Sequence, residues 1–459
     1  MSEAIKISSN NCEMQLEEDV FRSITHTSLK QKIWIGILLL IFLAGVFSYI
    51  IQLRSGLIVT AMRDYVSWGL YIAIFIFFIG ISHVGALMSA ILRLTGAEWR
   101  YPITRMAEAI TFSSLLFAAI MPIIDMGRPE RVLNMIFHGR LQSPLVWDFI
   151  AIFTYFIGSS IYLYLPMIPD MARLRDKLTS VSPWRKKLYR IMAAGWKGTA
   201  AQKNILERCM TIMTAIILPV AISVHTVVAW LFAMTLRPGW SSNVLGPYFV
   251  AGAIMSGAAA VLIAMAIFRK AYKLEKYITI VHFRNLSLLL FVLAIIYLYF
   301  NLNEYGVPAF KMEKAEGEYL NALFFGSHAI VYWTVQVFGL FIPIVMLAFK
   351  RIRNSIPWIV IASSMIVIGA MVKRYIIVVP TLLHPYIPIQ NPPAGYGSYF
   401  PSLIEWSIAL ASVAGFMLVY TLFSKLFPII TLWETVEAIE SKGENNVGVE
   451  INSEVTIAN

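Results

Sequence analysis

The fold is decided by residues 66–92, which read VSWGLYIAIFIFFIGISHVGALMSAIL. This stretch carries one readily charged side chain, that of His83. A helix needs about 20 apolar residues to cross a hydrocarbon core of roughly 30 Å. In lipid such a run must be helical, because every backbone polar group needs a partner within its own segment. We therefore predict that residues 66–92 form a helix that crosses a membrane.

Similar apolar runs recur along the whole chain. It is 58% hydrophobic and only 14% charged, whereas a soluble protein has about 25% charged residues. We predict an all-α integral membrane protein with ten transmembrane helices, at residues 33–51, 66–92, 106–125, 145–165, 211–235, 247–268, 286–301, 325–349, 357–380 and 403–423. They form a transmembrane domain at residues 33–427. It lies between an N-terminal segment of residues 1–32 and a polar C-terminal tail of residues 428–459, and we expect both to be solvated.

The second and sixth predicted helices begin alike. One opens with Trp68-Gly69-Leu70-Tyr71 and the other with Leu245-Gly246-Pro247-Tyr248, and both are rich in Gly, Ala and Ser. We predict two four-helix bundles in parallel repeat, formed by helices two to five and six to nine, with two further helices at the periphery. Parallel repeats are a known membrane architecture. Chance similarity between apolar segments is the competing interpretation.

The loops between the helices differ in charge. The four even-numbered loops hold 21 Lys and Arg residues, and the five odd-numbered loops hold 8. Short cytoplasmic loops are enriched in Lys and Arg, so we predict that the even-numbered loops and both termini are cytoplasmic. The basic residues of these cytoplasmic loops then account for the net charge of +11. We expect the most basic loop, residues 166–210, to contact anionic headgroups of the lipid bilayer rather than nucleic acid.

Charge-bearing side chains lie within the predicted helices or, for Arg128, just after one, and within hydrocarbon each costs roughly 2.5–3.5 kcal/mol on insertion scales. They are His83, Glu108, Asp125, Arg128, Asp148, His225, Lys373 and Arg374, with Tyr375 beside the last. Singly, each has a structural interpretation, such as a helix-end ion pair, a snorkelling arginine or a histidine bonded to a backbone carbonyl. Because the acids, bases and histidines of several helices favour the outer half of the membrane, we predict that they share a polar cavity.

Three functions would use such a cavity. A quinol loses two protons and two electrons on oxidation, so it needs hydrogen-bond partners and a carboxylate or imidazole that accepts protons. Haem b needs two axial histidines on facing helices, for which His83 and His225 are the embedded pair. An ion or solute transporter would use the acidic residues as a relay. The two cysteines, Cys12 and Cys209, have no metal-ligand spacing and are too few for a four-cysteine iron–sulfur cluster within this chain.

Several motifs resemble those of the NrfD/polysulfide reductase (PsrC-like) membrane-subunit family, in the same order along nearly all ten helices. They are Trp68-Gly69-Leu70-Tyr71, Gly80 to Gly85, Arg105-Met106-Ala107-Glu108-Ala109, Asp125-Met126-Gly127-Arg128-Pro129, Ser143 to Asp148, Ile168-Pro169-Asp170, Leu174-Arg175-Asp176, Gly195-Trp196-Lys197-Gly198, Ser223 to Thr226 and Lys373-Arg374-Tyr375. The chain is most similar to the ten-span DsrP/HmeB and alternative complex III membrane subunits. Alternative complex III members resemble it less at Asp125, where they have His, which favours the sulfur-metabolism or general reductase branch.

The resemblance implies a subunit that exchanges electrons between a quinone, with menaquinone as the first expectation, and a ferredoxin-like iron–sulfur subunit on the outer face. It implies no haem and no iron–sulfur cluster in this chain. Further redox subunits would complete the complex in the cytoplasmic membrane of a prokaryote, so the chain alone is not expected to be an active enzyme.

On these grounds we predict which residues form the site. The quinone site is expected at Asp125, Arg128, Asp148, His225 and Tyr375, with Asp125, Asp148 and His225 as the proton-handling groups. His83, Glu108, Lys373 and Arg374 are expected to form a proton path toward the inside, and whether protons are translocated stays open.

Overall fold

The computed structural model describes residues 2–178, 181–240, 242, 244–311, 313–387, 389–393 and 395–436. Within these residues, ten helices are long and apolar enough to cross a membrane. They are called spans one to ten: Leu29–Ser55, Leu70–Leu94, Tyr101–Asp125, Pro144–Tyr164, Ala200–Ala233, Leu245–Ala271, Ile280–Lys311, Ala329–Ala348, Ile356–Leu383 and Leu403–Leu426. Each predicted range overlaps one span. The protein is therefore an all-α integral membrane protein, as predicted.

Shorter helices cover the two ends of the spans. The face that holds the N-terminal helix and residues 427–436 is called the terminal face, and the other is called the opposite face. The terminal face carries Ser2–Thr25, Glu98–Arg100, Met167–Lys177, Pro183–Met192 and Lys350–Arg353, and the opposite face carries Leu57–Val59, Pro129–Arg131, Val132–Phe137 and Lys314–Phe324. The short helices of the opposite face and the loops between them cover the outer ends of the spans that hold the candidate site.

Local sequence sets where several spans begin. Ser28 caps span one and Ser402 caps span ten, and in both cases the residue three positions on returns a hydrogen bond to the cap. Such reciprocal capping satisfies two backbone N–H groups that the helix leaves free. Span four begins at Pro144 after Ser143, because the fixed φ of proline and its missing N–H suit a first helical turn. This start places Asp148 one turn inside span four.

Spans two to five form a four-helix bundle. In sequence order each packs against the next, and span five packs back against span two. Span two is the central helix of the molecule, because its most apolar window is entirely buried. A Cβ atom on Gly85 would lie 2.4 Å from the carbonyl oxygen of Ala107 on span three. The missing side chain of Gly85 therefore sets the close spacing of spans two and three.

Spans six to nine form the second bundle, with the same ring of neighbours, and span six packs against spans two and five. Spans two and six both run from the opposite face to the terminal face, so the two bundles repeat in parallel. Spans one and ten pack against each other at the side of the first bundle. The predicted arrangement of two bundles and two peripheral helices is confirmed.

Span eight is interrupted by a wider helical turn. It is α-helical at Ala329–Thr334 and Ile342–Ala348 and π-helical at Val335–Phe341. Such π segments are rare and often lie at functional sites. Here the segment carries Gln336, whose side chain accepts a 2.9 Å hydrogen bond from Asn301 of span seven.

The N-terminal segment differs from the solvated terminus that the sequence suggested. It forms the helix Ser2–Thr25, and Leu16, Val20 and Ile24 are buried against the terminal face. Glu17 of this helix accepts hydrogen bonds from Arg173 and Lys177 of the fourth loop. Apolar residues at a spacing of four form one face of a helix. This apolar face packs the segment against the ends of the spans.

Residues 428–436, which the sequence analysis assigned to the polar tail, are also packed on the terminal face. Ile430 and Leu432 are fully buried, and Trp433 is nearly so. Asp170 accepts hydrogen bonds from the backbone N–H groups of Leu432 (3.1 Å) and Trp433 (2.9 Å). The same carboxylate pairs with Arg105 at the start of span three. The rest of the expected tail, residues 437–459, lies outside the described residues.

Candidate functional site

A cavity of about 390 Å³ lies between spans two, three and four, near the opposite face. Its acidic groups are Asp125 and Asp148, and its remaining walls are largely apolar and aromatic. These walls are formed by Trp68, Ile72, Phe75, Ala119, Pro122, Ile123, Met126, Val132, Met135, Leu145, Phe149, Ile152, Phe153, Phe156 and Leu231. A volume of roughly 300–1,000 Å³ with apolar walls and a few polar groups is typical of a small-molecule site.

The two carboxyl groups reach the cavity from different spans. Asp148 lies one turn inside span four and is 7% exposed. Asp125 is the last residue of span three. In each, Oδ1 is buried and has no hydrogen-bond partner in the part of the chain that the structure describes. An unmatched buried polar atom costs about 1–3 kcal/mol, so this cavity favours a ligand that brings hydrogen-bonding groups of its own.

Aromatic rings fix one wall of the cavity. The ring of Trp68 stacks on that of Trp240 with centroids 6.2 Å apart, and it meets the ring of Phe232 edge-on at 5.6 Å. Trp240 is 1% exposed, and its indole N–H donates to the carbonyl oxygen of Ile377 over 2.8 Å. The cluster therefore holds Trp68 in place and offers a flat surface on which a planar ligand would pack.

The end of span three is held by residues that the sequence analysis missed. The side-chain amide of Gln52 donates to the carbonyl oxygen of Ile124 over 3.0 Å, and its oxygen accepts a 2.7 Å hydrogen bond from Tyr71. Gln52 is 1% exposed. These bonds fix the backbone next to Asp125. The only sequence feature that could have indicated this contact is the polar amide of Gln52 near the end of an apolar run.

A second missed pair supports the start of span two. The hydroxyl of Tyr399 donates to Glu405 over 2.5 Å and accepts a 2.8 Å hydrogen bond from the backbone N–H of Leu70. Burial, and next the carboxylate of Glu405, raise the pKa of Tyr399 well above its usual range, so the hydroxyl stays protonated and can donate. Glu405 also accepts from the backbone N–H of Ala61 over 2.7 Å. These bonds fix the loop that precedes Trp68.

Part of the cavity wall lies on the exposed side of span four. Leu145 and Phe153 of span four line it, and they are also 51% and 57% exposed on the outer surface of the spans. A hydrophobic molecule dissolved in the bilayer would reach the two carboxyl groups from this side.

Three of the predicted quinone-site residues do not line the cavity. Arg128 is exposed in the loop after span three. Tyr375 is half-buried on span nine, where its ring lies 6.4 Å from that of Tyr399. His225 is fully buried on span five, between the rings of His83 (4.6 Å) and Phe249 (5.7 Å). The structure thus brings together Asp125 and Asp148 and separates these three from them.

The two embedded histidines form a pair whose geometry does not fit axial ligation of haem. Both ring nitrogens of His83 contact carbonyl oxygens, that of Ile79 at 2.6 Å and that of Ala221 at 2.7 Å. An axial ligand needs a ring nitrogen with a free lone pair. Iron between two imidazoles, each with its nitrogen at about 2 Å, would also keep the ring centres about 6 Å apart, and these lie at 4.6 Å.

The residues of the predicted proton path occupy separate positions. Glu108 is 3% exposed on span three, and neither carboxyl oxygen has a hydrogen-bond partner among the residues described. Lys373 lies in the second bundle, where its Nζ donates to the hydroxyl of Tyr305 over 2.6 Å. The guanidinium of Arg374 lies 5.0 Å from the ring centre of Phe249. The ring of Phe249 also contacts that of His225 at 5.7 Å, so Arg374 lies close to the histidine pair. Among the described residues, no hydrogen bond or ion pair joins Glu108 to Lys373 or Arg374.

These observations define a class: a ten-span membrane protein with an apolar cavity at the exposed side of a span, holding two carboxyl groups that each have one oxygen without a partner among the described residues. The chain belongs to the NrfD polysulphide reductase family, whose model matches residues 58–385. The matched range covers the two four-helix bundles and the cavity. It leaves out spans one and ten, which lie at the periphery.

Three relatives from other organisms are similar in sequence to this chain. A putative dimethyl sulfoxide reductase membrane subunit of Halobacterium salinarum is 29% identical over 50% of this chain, which spans half of that relative's length. A selenate reductase subunit of Mesobacillus selenatarsenatis is 24% identical over 90% of this chain and 97% of its own. The Hdr-like menaquinol oxidoreductase integral membrane subunit of Archaeoglobus fulgidus is 22% identical over 92% of this chain and 99% of its own.

Proposed function

We propose that this protein is the quinone-binding membrane subunit of a multisubunit respiratory oxidoreductase, and that the quinone head group binds between Asp125 and Asp148. The observation that carries the proposal is the cavity: it is apolar, borders the exposed side of span four and holds two carboxyl oxygens without partners among the described residues. The name of the Archaeoglobus fulgidus relative mentions menaquinol, which supports menaquinone as the quinone.

The chemistry of a quinol matches this arrangement. Its oxidation releases two electrons and two protons, and the hydroxyl groups need acceptors at both ends of the ring. Oδ1 of Asp148 and Oδ1 of Asp125 would each accept a hydrogen bond from one hydroxyl and then its proton, as general bases. In the reverse direction the same carboxyl groups would return the protons. The two electrons would leave to an iron–sulfur partner, since this chain has only two cysteines.

The opposite face offers a surface for that partner directly above the cavity. The short helix Val132–Phe137 lines the cavity with Val132 and turns Leu133, Ile136 and Phe137 outward, 52%, 57% and 73% exposed. Exposed apolar groups of this kind mark interaction surfaces. We infer that a ferredoxin-like iron–sulfur subunit binds here, with further redox subunits beyond it. The excess of Lys and Arg in the even-numbered loops supports a topology in which this face lies outside the cytoplasmic membrane of a prokaryote and the termini lie inside.

The wider role of the complex follows from the same resemblance. Asp125 favours the sulfur-metabolism or general reductase branch over an alternative complex III-like assembly. Protons released at the cavity need a route, and Glu108 on span three, with its unmatched carboxyl oxygens, is the nearest predicted candidate along that span toward the terminal face. Participation of His83, Lys373 and Arg374 in proton translocation stays a prediction.

Asp148→Asn tests the proposal, with Glu304→Gln as its matched control. Both carboxyl groups are 7% exposed, both lie near the opposite face and both have one oxygen without a described partner, but Glu304 lies in the second bundle. In the purified complex we expect Asp148→Asn to lower menaquinol turnover by at least about a hundredfold, the range for loss of a general base. Glu304→Gln should retain turnover. Normal turnover in Asp148→Asn would refute this site.

A further inference from the structure

A second cavity, of about 260 Å³, lies on the terminal face between the helix Met167–Lys177, the loop before span five and the first turn of span five. Its walls include Arg173, Arg175, Lys177, Lys197, Lys203 and Trp196, and these six residues are called the basic pocket. The quinone cavity lies near the other face, so the two sites are separate. Two family motifs that the proposed function leaves unused, at Leu174 to Asp176 and at Gly195 to Gly198, meet in this pocket.

Hydrogen bonds build the pocket from parts distant in sequence. The guanidinium of Arg175 donates twice to Asp176, over 2.7 Å and 2.8 Å, and once to the carbonyl oxygen of Trp196 over 3.2 Å. This joins the helix Met167–Lys177 to the loop before span five. Gly198 in that loop has φ +74°, which a residue with a side chain rarely adopts. The pocket is therefore held by the protein's own bonds.

The charges around the pocket do not balance. Arg175 is matched by Asp176, and it lowers the pKa of that carboxyl below its usual range. Arg173 pairs with both Glu13 and Glu17 of the N-terminal helix, and Lys177 pairs with Glu17, so these two cations are also matched.

Lys197 and Lys203 form no ion pair with any described residue. Lys203 also stands in the first turn of span five, which begins at Ala200. The partial positive charge of a helix N-terminus disfavours a cation at this position. A bound anion would pair with Lys197 and Lys203, and it would also offset the repulsion between Lys203 and the N-terminus of span five.

We propose that the basic pocket binds a phosphate group, and that its source is the headgroup of an anionic phospholipid. Phosphate oxygens are matched by Lys and Arg side chains and by the N–H groups of a helix N-terminus. The pocket lies on the terminal face, between the helix Met167–Lys177, which follows span four, and the first turn of span five. Basic pockets near the cytoplasmic ends of transmembrane helices bind anionic headgroups. The half-buried indole of Trp196 suits the same interface.

The double variant Lys197→Gln/Lys203→Gln tests this. Lys276→Gln/Lys350→Gln is the control, because it removes the same charge from exposed lysines on the same face, outside the pocket. Full-length protein in detergent would be titrated with phosphatidylglycerol and with phosphatidylcholine, and bound lipid counted by native mass spectrometry. The wild type and the control variant should bind phosphatidylglycerol more tightly than phosphatidylcholine. The pocket variant should bind it about 30-fold more weakly, about fivefold for each cation.

A second binding measurement distinguishes a lipid headgroup from a free phosphate compound as the ligand. Inorganic pyrophosphate is added to the wild type and to the pocket variant, and its binding is measured by calorimetry. Lipid binding that depends on Lys197 and Lys203, with weak pyrophosphate binding, supports the proposal. Tight pyrophosphate binding without lipid preference overturns the lipid source. Equal lipid binding by the pocket variant and the control overturns the site itself.

Discussion

The buried ion pair between Arg105 and Asp170 predicts a large and specific loss of stability when its carboxylate is removed. Both side chains are 0% exposed, with Nη1 of Arg105 2.5 Å from Oδ2 of Asp170. In Asp170→Ala the guanidinium keeps the carbonyl oxygens of Pro166 (2.9 Å) and Pro428 (3.4 Å) as acceptors but loses its counter-charge. Removing one partner of a buried pair costs about 3–5 kcal/mol, and we expect the free energy of unfolding to fall by that amount.

Asp176→Ala is the matched control. Asp176 lies on the same short helix as Asp170 and also pairs with an arginine, Arg175, but the side chain of Asp176 is 61% exposed. Exposed ion pairs contribute about 0–1 kcal/mol, so this variant should stay close to wild type. The double variant Arg105→Met/Asp170→Ala should recover part of the loss, because it removes the uncompensated charge but leaves the backbone N–H groups of Leu432 and Trp433 without their acceptor. Equilibrium unfolding in mixed micelles with dodecyl sulfate, followed by tryptophan fluorescence, compares the variants.

Two results would refute this reasoning. One is a loss below about 1 kcal/mol in Asp170→Ala, since that is the range of an exposed pair. The other is a double variant as unstable as the single one, which would mean that lost packing or the lost backbone hydrogen bonds, rather than an uncompensated charge, cause the effect. Limited proteolysis adds a local readout, since Asp170 also holds the backbone of Leu432 and Trp433, and cleavage near these residues should become faster.

Three further predictions concern the cavity and the packing around it. Ile152→Trp fills part of the cavity, so the KM for menaquinol should rise at least about tenfold in steady-state assays of the complex, and an unchanged KM would place the quinone elsewhere. Tyr399→Phe leaves the N–H of Leu70 without its acceptor and should lower the free energy of unfolding by about 1–3 kcal/mol, measured in the same mixed micelles. Gly257→Ala puts a Cβ 2.5 Å from that of Val84 and should destabilise the contact of spans two and six by about 1–3 kcal/mol, seen as a lower thermal midpoint.

Much of the fold could be predicted from the sequence, because hydrocarbon imposes simple rules. Span lengths follow from apolar runs, and the depth of a residue follows from its distance to the span end. This is why Asp125 and Asp148 were both expected near one face. The same rules give depth but not rotation about the helix axis or the identity of the facing span, so His225 was placed with the carboxyl groups although it faces His83.

The parts that sequence reasoning missed depend on single long-range contacts. Gln52 and Tyr71 hold the end of span three through two hydrogen bonds, and no periodicity in either span indicates that contact. The N-terminal helix left a readable signal, since Leu16, Val20 and Ile24 recur at a spacing of four. Because most residues between them are polar, the composition of the segment nevertheless predicts a solvated terminus. Contacts of this kind are encoded one pair at a time, and a single sequence does not reveal them.

The contact between His83 and Ala221 has a consequence for biosynthesis. The two residues are 138 positions apart, and ribosomes add about 5–20 residues per second, so span five follows span two by about 7–28 s. For that interval the central helix of the protein must wait in or beside the insertion machinery with one imidazole nitrogen unmatched. A nascent chain stalled before span five should therefore expose His83 to chemical modification, and release of the stall should protect it.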